Sequence, residues 1–220
     1  MKDRLLVSIT GRTEADWKSK LKEIEKYKIH RISLFLECFD EKQRKAIYQA
    51  LLNSSVKEIP LVHIKNDMER EELAFLVKEF KTKYLTIHEC SFAFLKKWKG
   101  FHKSLYLEMN ADNFISQSVK VNRIGGFCID LSHFKIKLEK CSKELMYILK
   151  RKEIRRYFAC NHLNGYSYQK NEDLHTVNSL KDFDYLKTLP KFVFGKVISL
   201  ETFNSIKDQL KFKKYLSKLL

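Results

Sequence analysis

The stretch GFCIDLSHF (126–134) shows the pattern that decides the fold. It begins as a nearly continuous apolar run, which is typical of a strand covered on both faces in a parallel sheet. Its second half contains two ionisable residues, Asp130 and His133. The same combination of an apolar run with ionisable residues near its carboxyl end recurs along the chain.

Seven further runs have this apolar character and are rich in Val, Ile, Leu, Phe and Tyr. They are LLVSITG (5–11), RISLFLE (31–37), IPLVHIK (59–65), YLTIHE (84–89), SLYLEMN (104–110), RRYFACNHL (155–163) and FVFGKVISLE (192–201). Eight strand-like runs with amphipathic stretches between them predict an α/β fold, a compact (β/α)8 TIM barrel.

Helical periodicity is present in residues 14–28, 41–52, 68–80 and 203–218. Thr13 and Asp40 are the predicted N-caps of the first two helices. The predicted inner stripe of the second helix is Ala46, Ile47, Ala50 and Leu51. Residues 111–123 are poorly periodic, so some helices of the barrel must be abbreviated.

The chain has 220 residues, which predicts one domain over residues 1–220, near the lower size limit of about 200 residues for this barrel. No apolar run reaches the roughly 18 residues of a membrane-spanning helix. The segment MKDRLLVSITGR (1–12) predicts a strand rather than a signal peptide. The five cysteines have no CxxC spacing, so we expect free thiols in a cytoplasmic protein. We also expect a monomer without membrane attachment.

The charge balance favours an anionic partner. Lysine and arginine total 43 against 27 acidic residues, a net charge of +16. Such a balance is typical of proteins that bind nucleic acid or phosphorylated substrates. Lysines on solvated helix faces explain it equally well, so charge alone leaves both interpretations open.

Ionisable residues of metal-binding types lie near the ends of the predicted strands or in the segments that follow them. They are His63, His88, Glu108, Asp130, His133, His162, Asp173, His175 and Glu201. Because active sites of TIM barrels lie at the carboxyl ends of the strands, we expect these side chains to converge. His30 and His102 instead precede strands and are predicted to be structural or solvated.

Two short motifs strengthen this prediction. Asp130-Leu-Ser-His133 is a DxxH motif at a strand end, and Asp173-Leu-His175 is a DxH motif in which alternation places both side chains on one side. A lone histidine or glutamate at a strand end is more often structural, but burying the whole set without partners would be prohibitive. Nitrogen and oxygen ligands without cysteine suit Zn²⁺, Mn²⁺ or Fe²⁺.

The order and type of these residues resemble the endonuclease IV family of apurinic/apyrimidinic endonucleases, within the xylose isomerase-like TIM barrels. The resemblance spans the whole chain, and its specificity lies in the nine positions taken together. The motifs that carry it are His63, His88 and Glu108 at the third to fifth strand ends, DxxH (130–133), His162 within NHLN (161–164), DxH (173–175) and Glu201 within LET (200–202).

The resemblance implies a zinc centre of two to three ions that hydrolyses the phosphodiester 5′ to an abasic site in DNA, as in DNA repair. Glu108 would bridge two ions, and Glu108 and Glu201 would position or activate the nucleophile. The implied ligand sets are His63 and His88 with Glu108, then Asp130, His162 and Glu201 with Glu108, and finally His133, Asp173 and His175.

The chain departs from the family in the loops that contact DNA. Residues 109–112 replace a glycine-containing segment, residues 64–67 replace a tyrosine-bearing loop, and Gly165 replaces the aspartate of an HLND tetrad. The predicted metal centre therefore transfers from the family better than the substrate does. Tyr166, Tyr168 and Lys170 follow the NHLN segment, and they predict either a replacement contact or an ordinary loop.

Two other functions are compatible with the sequence. A sugar or sugar-phosphate isomerase or epimerase of the same superfamily would use one metal ion held by Glu108, Asp130, His162 and Glu201. A barrel that binds nucleic acid without catalysis would need no metal. The number of ions bound per chain separates the three functions.

Overall fold

The structure is a computed structural model that describes residues 4–220, so that Met1–Asp3 of the predicted N-terminal strand segment lie outside the described residues. The main sheet contains nine hydrogen-bonded segments, the first two of which are pieces of one strand interrupted at Val7. The strands are β1 (Leu5–Leu6 and Ser8–Ile9), β2 (Ser33–Phe35), β3 (Leu61–His63), β4 (Tyr84–His88), β5 (Leu105–Glu108), β6 (Gly126–Asp130), β7 (Phe158–Leu163) and β8 (Val197–Leu200).

All neighbouring strands of this sheet are parallel. The two pieces of β1 lie at opposite ends of the strand order and so bring the two edges of the sheet together. Leu5 pairs with Ile198 of β8, whereas Ile9 pairs with Leu34 of β2. The sheet is therefore a nearly closed parallel barrel, which confirms the predicted α/β barrel fold.

Helices surround part of this barrel. They are α1 (Glu14–Lys26), α2 (Glu41–Leu52), α3 (Arg70–Phe80), α4 (Leu131–Lys140), α5 (Lys143–Leu149) and α6 (Ile206–Leu219). Short 3₁₀ helices follow β4, β5 and β7 at Glu89–Phe94, Val121–Arg123 and Leu180–Thr188, so the predicted abbreviation of some helices is confirmed. Within residues 4–220, no helix is both long enough and apolar enough to cross a membrane.

The start signals of the first two helices are confirmed, but the predicted inner stripe of α2 is only partly right. Thr13 and Asp40 each form a capping box. Ile47 and Leu51 are buried, whereas Ala46 is exposed. Arg44 is buried instead, because its guanidinium donates two hydrogen bonds of 2.9 Å to Glu72 of α3. A periodicity of apolar residues cannot reveal such a buried ion pair.

The eighth strand begins later than predicted. Residues Lys191–Val193 form a 3₁₀ turn, and β8 covers only Val197–Leu200. Gly195 approaches the backbone so closely that a Cβ there would lie 2.5 Å from the carbonyl carbon of Ala159. The buried amide of Asn161 holds this segment, since its Oδ1 accepts a 2.6 Å hydrogen bond from the Gly195 amide.

An apolar layer fills one end of the barrel interior. It consists of Leu6, Leu61, Tyr106, Cys128, Cys160 and Val197. All five cysteines are free thiols, as predicted, and two of them belong to this layer. Cysteine acts there as a small apolar side chain, and the layer forms an apolar base for the residues that follow it along each strand.

A buried lysine connects α1 to the end of β8 and gives a prediction about stability. The ammonium of Lys20 donates a 2.7 Å hydrogen bond to the carbonyl of Thr202, and burial lowers the pKa of Lys20 from 10.5 to about 7. Between pH 7 and pH 10.5, Lys20 is therefore protonated in the unfolded chain but neutral in the folded protein. The free energy of unfolding should therefore rise with pH in this window, by up to about 1.4 kcal/mol per pH unit.

Lys20→Met should lack this part of the pH dependence. Denaturant unfolding of both proteins between pH 7 and 10 measures it, and subtracting the two curves cancels the titration of all other groups. Parallel curves for the two proteins would contradict a neutral Lys20 in the folded state.

Candidate metal centre

Strand alternation places the predicted ligands directly above the apolar layer. His63, Glu108, Asp130 and His162 each follow a member of that layer by two residues, and residues two apart on a strand share a face. Parallel register then aligns the strand ends, since His88 pairs with Glu108 and Asp130 pairs with His162. Local strand geometry therefore assembles a cluster of ionisable side chains inside the barrel mouth.

This cluster contains three overlapping groups that could each hold a metal ion. The first group is His63, His88 and Glu108, and the second is Glu108, Asp130, His162 and Glu201. The third group, His63, His162 and Glu201, joins members of the other two. Within each group the potential ligand atoms lie within 4.8 Å of one another. Because Glu108 belongs to the first two groups, it is placed to bridge two ions.

The distances between potential ligand atoms suit a small divalent cation. With metal–ligand bonds of about 2.0–2.2 Å, two ligands of a tetrahedral zinc ion lie roughly 3.3–3.6 Å apart. His162 Nδ1 lies 3.3 Å from Glu201 Oε2 and 2.8 Å from Glu108 Oε2, and His63 Nδ1 lies 3.9 Å from Glu108 Oε2. The observed distances scatter around the expected value.

The hydrogen bonding of these groups tests whether they fit a metal ion. Both ring nitrogens of His63 and His162, together with Oε2 of Glu108 and of Glu201, are buried without a hydrogen-bond partner in the described part of the chain. Buried polar groups are almost always hydrogen-bonded, and leaving several unsatisfied is costly. Coordination of metal ions would satisfy one nitrogen of each imidazole and both carboxylate oxygens, so the residues fit such a group.

The electrostatics of the cluster also favour a bound cation. Burial raises the pKa of Glu201 well above its usual value, and the nearby carboxyls of Glu108 and Asp130 raise it further. Burial opposes the ionisation of Glu108 as well, but His162, His88 and His63 outweigh it and keep the pKa of Glu108 well below normal. Burial keeps the pKa of His63 well below normal, so this imidazole is neutral at pH 7, which is the form that binds metals.

Asp130 has a second, structural role. It is the N-cap of α4, where Oδ1 accepts hydrogen bonds from the Ser132 hydroxyl and the His133 amide at 2.7 and 2.8 Å. Its Oδ2 accepts a 2.8 Å hydrogen bond from Asn164 Nδ2. These bonds fix the carboxylate, whose remaining lone pairs can still bind a metal ion.

The remaining three predicted ligands meet at a more exposed position. Asp173 and His175 lie on or next to the second strand of a hairpin formed by Gly165–Ser167 and Glu172–Leu174. Asp173 Oδ2 lies 3.0 Å from His175 Nε2, and Asp173 Oδ1 lies 3.7 Å from His133 Nε2. Hydrogen bonds with both imidazoles keep the pKa of Asp173 below its usual value. The structure thus places this trio together at the edge of the same cavity.

A cavity of about 200 Å³ connects the two parts of the cluster. Six of the predicted ligands line it, together with Arg12, Glu37 and Phe203. Sequence reasoning missed Glu37, whose Oε2 lies 3.4 Å from His63 Nδ1. The signal was present, because Glu37 ends its apolar run just as Glu201 does.

The two histidines outside the predicted set are also outside the cluster. His30 Nδ1 lies 2.7 Å from the carbonyl of Ser55, and His102 Nε2 lies 2.8 Å from the carbonyl of Leu95. Both make local hydrogen bonds near the amino ends of strands. They therefore provide natural controls for experiments on the cluster.

Comparison with known proteins adds no family to this description. No protein-family model matches the chain, and no curated protein matches it significantly. The fold and the site define the class of protein, an α/β barrel whose buried histidine and carboxylate clusters could hold metal ions.

Proposed function

We propose that this protein is a metal-dependent phosphodiester hydrolase that acts on DNA, with incision at abasic sites as its specific reaction. The observation that carries the proposal is that Glu108 belongs to two adjacent ligand groups. Such sharing supports a centre of more than one ion, and paired ions are typical of enzymes that cleave phosphodiesters. The order of ligand types along the chain supports the comparison with endonuclease IV.

Zinc ions bound here would lower the pKa of a water molecule, neutralise the phosphate oxygens and stabilise the leaving alkoxide. The chain's own residues would hold and orient the reactants. Glu108 is shared by two of the groups and Glu201 belongs to one of the same two, so both carboxylates would lie beside an ion-bound water molecule and could position it. Glu108 and Glu201 are therefore the proposed catalytic residues.

The support for a DNA substrate is electrostatic and local. The net charge of +16 favours a polyanion. Residues 64–67, which replace the tyrosine-bearing loop of the family, make an internal contact, since Asp67 lies 3.0 Å from Arg44. The hairpin provides a different surface. Tyr168 on the hairpin turn is 58% exposed, and the Lys135 ammonium lies 5.6 Å from its ring centre. An exposed aromatic ring beside a lysine is a suitable surface for an unstacked base.

One observation favours the isomerase alternative. The second ligand group alone has two glutamates, an aspartate and a histidine within reach of one ion, which is the set expected for a mononuclear sugar isomerase. That function leaves the buried nitrogens of His63 unexplained. We therefore rank it second.

Elemental analysis of protein purified without added metal or chelator tests the proposal. We expect two to three ions per chain, mostly zinc, and cleavage of duplex DNA that contains an abasic site. His88→Ala should lose metal and activity, whereas the matched control His30→Ala should keep both. A single ion, particularly manganese, would favour the isomerase, and a metal-free protein would favour a non-catalytic binding barrel.

A further inference from the structure

We propose that Glu37 is a further metal ligand, which completes the group of His63, His88 and Glu108 for a zinc ion or a similar divalent cation. This inference rests on the metal-binding part of the proposed function. It does not depend on the identity of the substrate.

The position of Glu37 follows from the register of the barrel. Phe35 of β2 pairs with His63 of β3, and the Phe35 ring contacts the rings of His63 and His162 inside the barrel mouth. Glu37 follows Phe35 by two residues, so it projects to the same side. This register brings the carboxylate of Glu37 to the edge of the first ligand group.

The carboxylate of Glu37 has the unsatisfied polar contacts that are expected of a metal ligand. Glu37 Oε2 is buried without a hydrogen-bond partner among residues 4–220, and the same holds for both nitrogens of the 2% exposed His63 beside it. The 3.4 Å between Glu37 Oε2 and His63 Nδ1 matches the separation expected for two ligands of one tetrahedral zinc ion, roughly 3.3–3.6 Å. The contact is not a hydrogen bond, since neither atom has a hydrogen-bond partner among residues 4–220.

A structural role without metal explains these contacts less well. Burial disfavours the charged form of Glu37, and the neighbouring carboxylate of Glu108 repels it further. A cation between Glu37, His63 and Glu108 removes both penalties. With four protein ligands the group becomes a closed site, which is typical of tightly held zinc. We therefore expect the ion bound there to be among the last that a chelator removes.

Substitution by glutamine separates a ligand from a residue that merely orients His63. The amide side chain introduced by Glu37→Gln would still accept a hydrogen bond from an imidazole N–H, but an amide is a poor ligand for zinc. Glu144→Gln is the matched control, because Glu144 is buried on α5 outside the ligand groups. Chelator competition on the full-length wild-type, Glu37→Gln and Glu144→Gln proteins measures the affinity of each ion.

We expect Glu37→Gln to bind one ion about 100-fold more weakly, while Glu144→Gln retains the wild-type affinities. Cobalt substitution provides a second readout, since the visible d–d absorption should change in Glu37→Gln if a direct ligand is lost. Wild-type affinities and an unchanged cobalt spectrum in Glu37→Gln would overturn the inference. A wild-type protein that binds no metal at all would overturn the proposed function together with this inference, so the two failures are distinguishable.

Discussion

Replacing Glu108 by glutamine should reduce phosphodiester hydrolysis by a factor on the order of 10³ and should remove part of the bound metal. The reason is the position of this carboxylate, which belongs to two of the ligand groups. Glutamine preserves the shape of the side chain but provides only one weak oxygen ligand. Steady-state cleavage of abasic-site duplex DNA and elemental analysis of the same preparations measure the two effects.

The variant should remain folded, which makes the result interpretable. Glu108 lies near the carboxyls of Glu201 and Glu37, so removal of its charge relieves repulsion while an amide can still contact His162. Circular dichroism and thermal unfolding check this point. Glu144→Gln controls for the loss of a buried carboxylate elsewhere in the barrel and should keep full activity. Full activity with an unchanged metal content in Glu108→Gln would exclude a multinuclear mechanism.

The fold could be predicted because its strands are buried on both faces. Runs such as YLTIHE and GFCIDLSHF are continuous in apolar character, and they correspond to β4 and β6 within a few residues. The prediction failed where a long-range contact decides the local structure. Residues 192–196 have the composition of a strand, but the contacts of Asn161 and Ala159 with Gly195 hold this segment in another conformation.

The candidate site could be anticipated because strand ends of a parallel barrel meet at one place. His63, Glu108 and His162 lie together for this reason alone. Glu37 was missed although it ends its apolar run as Glu201 does, because its significance depends on the 3.4 Å contact with His63. The capping bonds of Asp130 were likewise invisible, because a DxxH spacing does not show which oxygen accepts from which amide.

Removal of metal should lower the thermal stability of this protein more than any single surface substitution. Because an ion that binds only the folded state stabilises it by mass action, free zinc at about 1,000 times its dissociation constant contributes roughly 4 kcal/mol per site. For a chain of this size, each kcal/mol corresponds to about 2–4 °C in Tm. We therefore expect chelation to lower the Tm by about 8–16 °C for each ion lost, and zinc to restore it.

The dependence on pH and on two histidine variants makes this prediction specific to the cluster. Metal binding displaces protons from imidazoles, and against the effect of burial Asp130 and Asp173 raise the pKa of His133 to about 9. Binding should therefore weaken as the pH falls below about 9, and the difference in Tm between zinc-loaded and chelated protein should shrink. His63→Ala should reduce this difference because His63 is a buried member of the first ligand group. His30→Ala should leave it unchanged, because His30 lies near the amino end of β2 and contacts Ser55. Equal melting temperatures for chelated and zinc-loaded wild-type protein would mean that the buried histidines and carboxylates are stable without a cation.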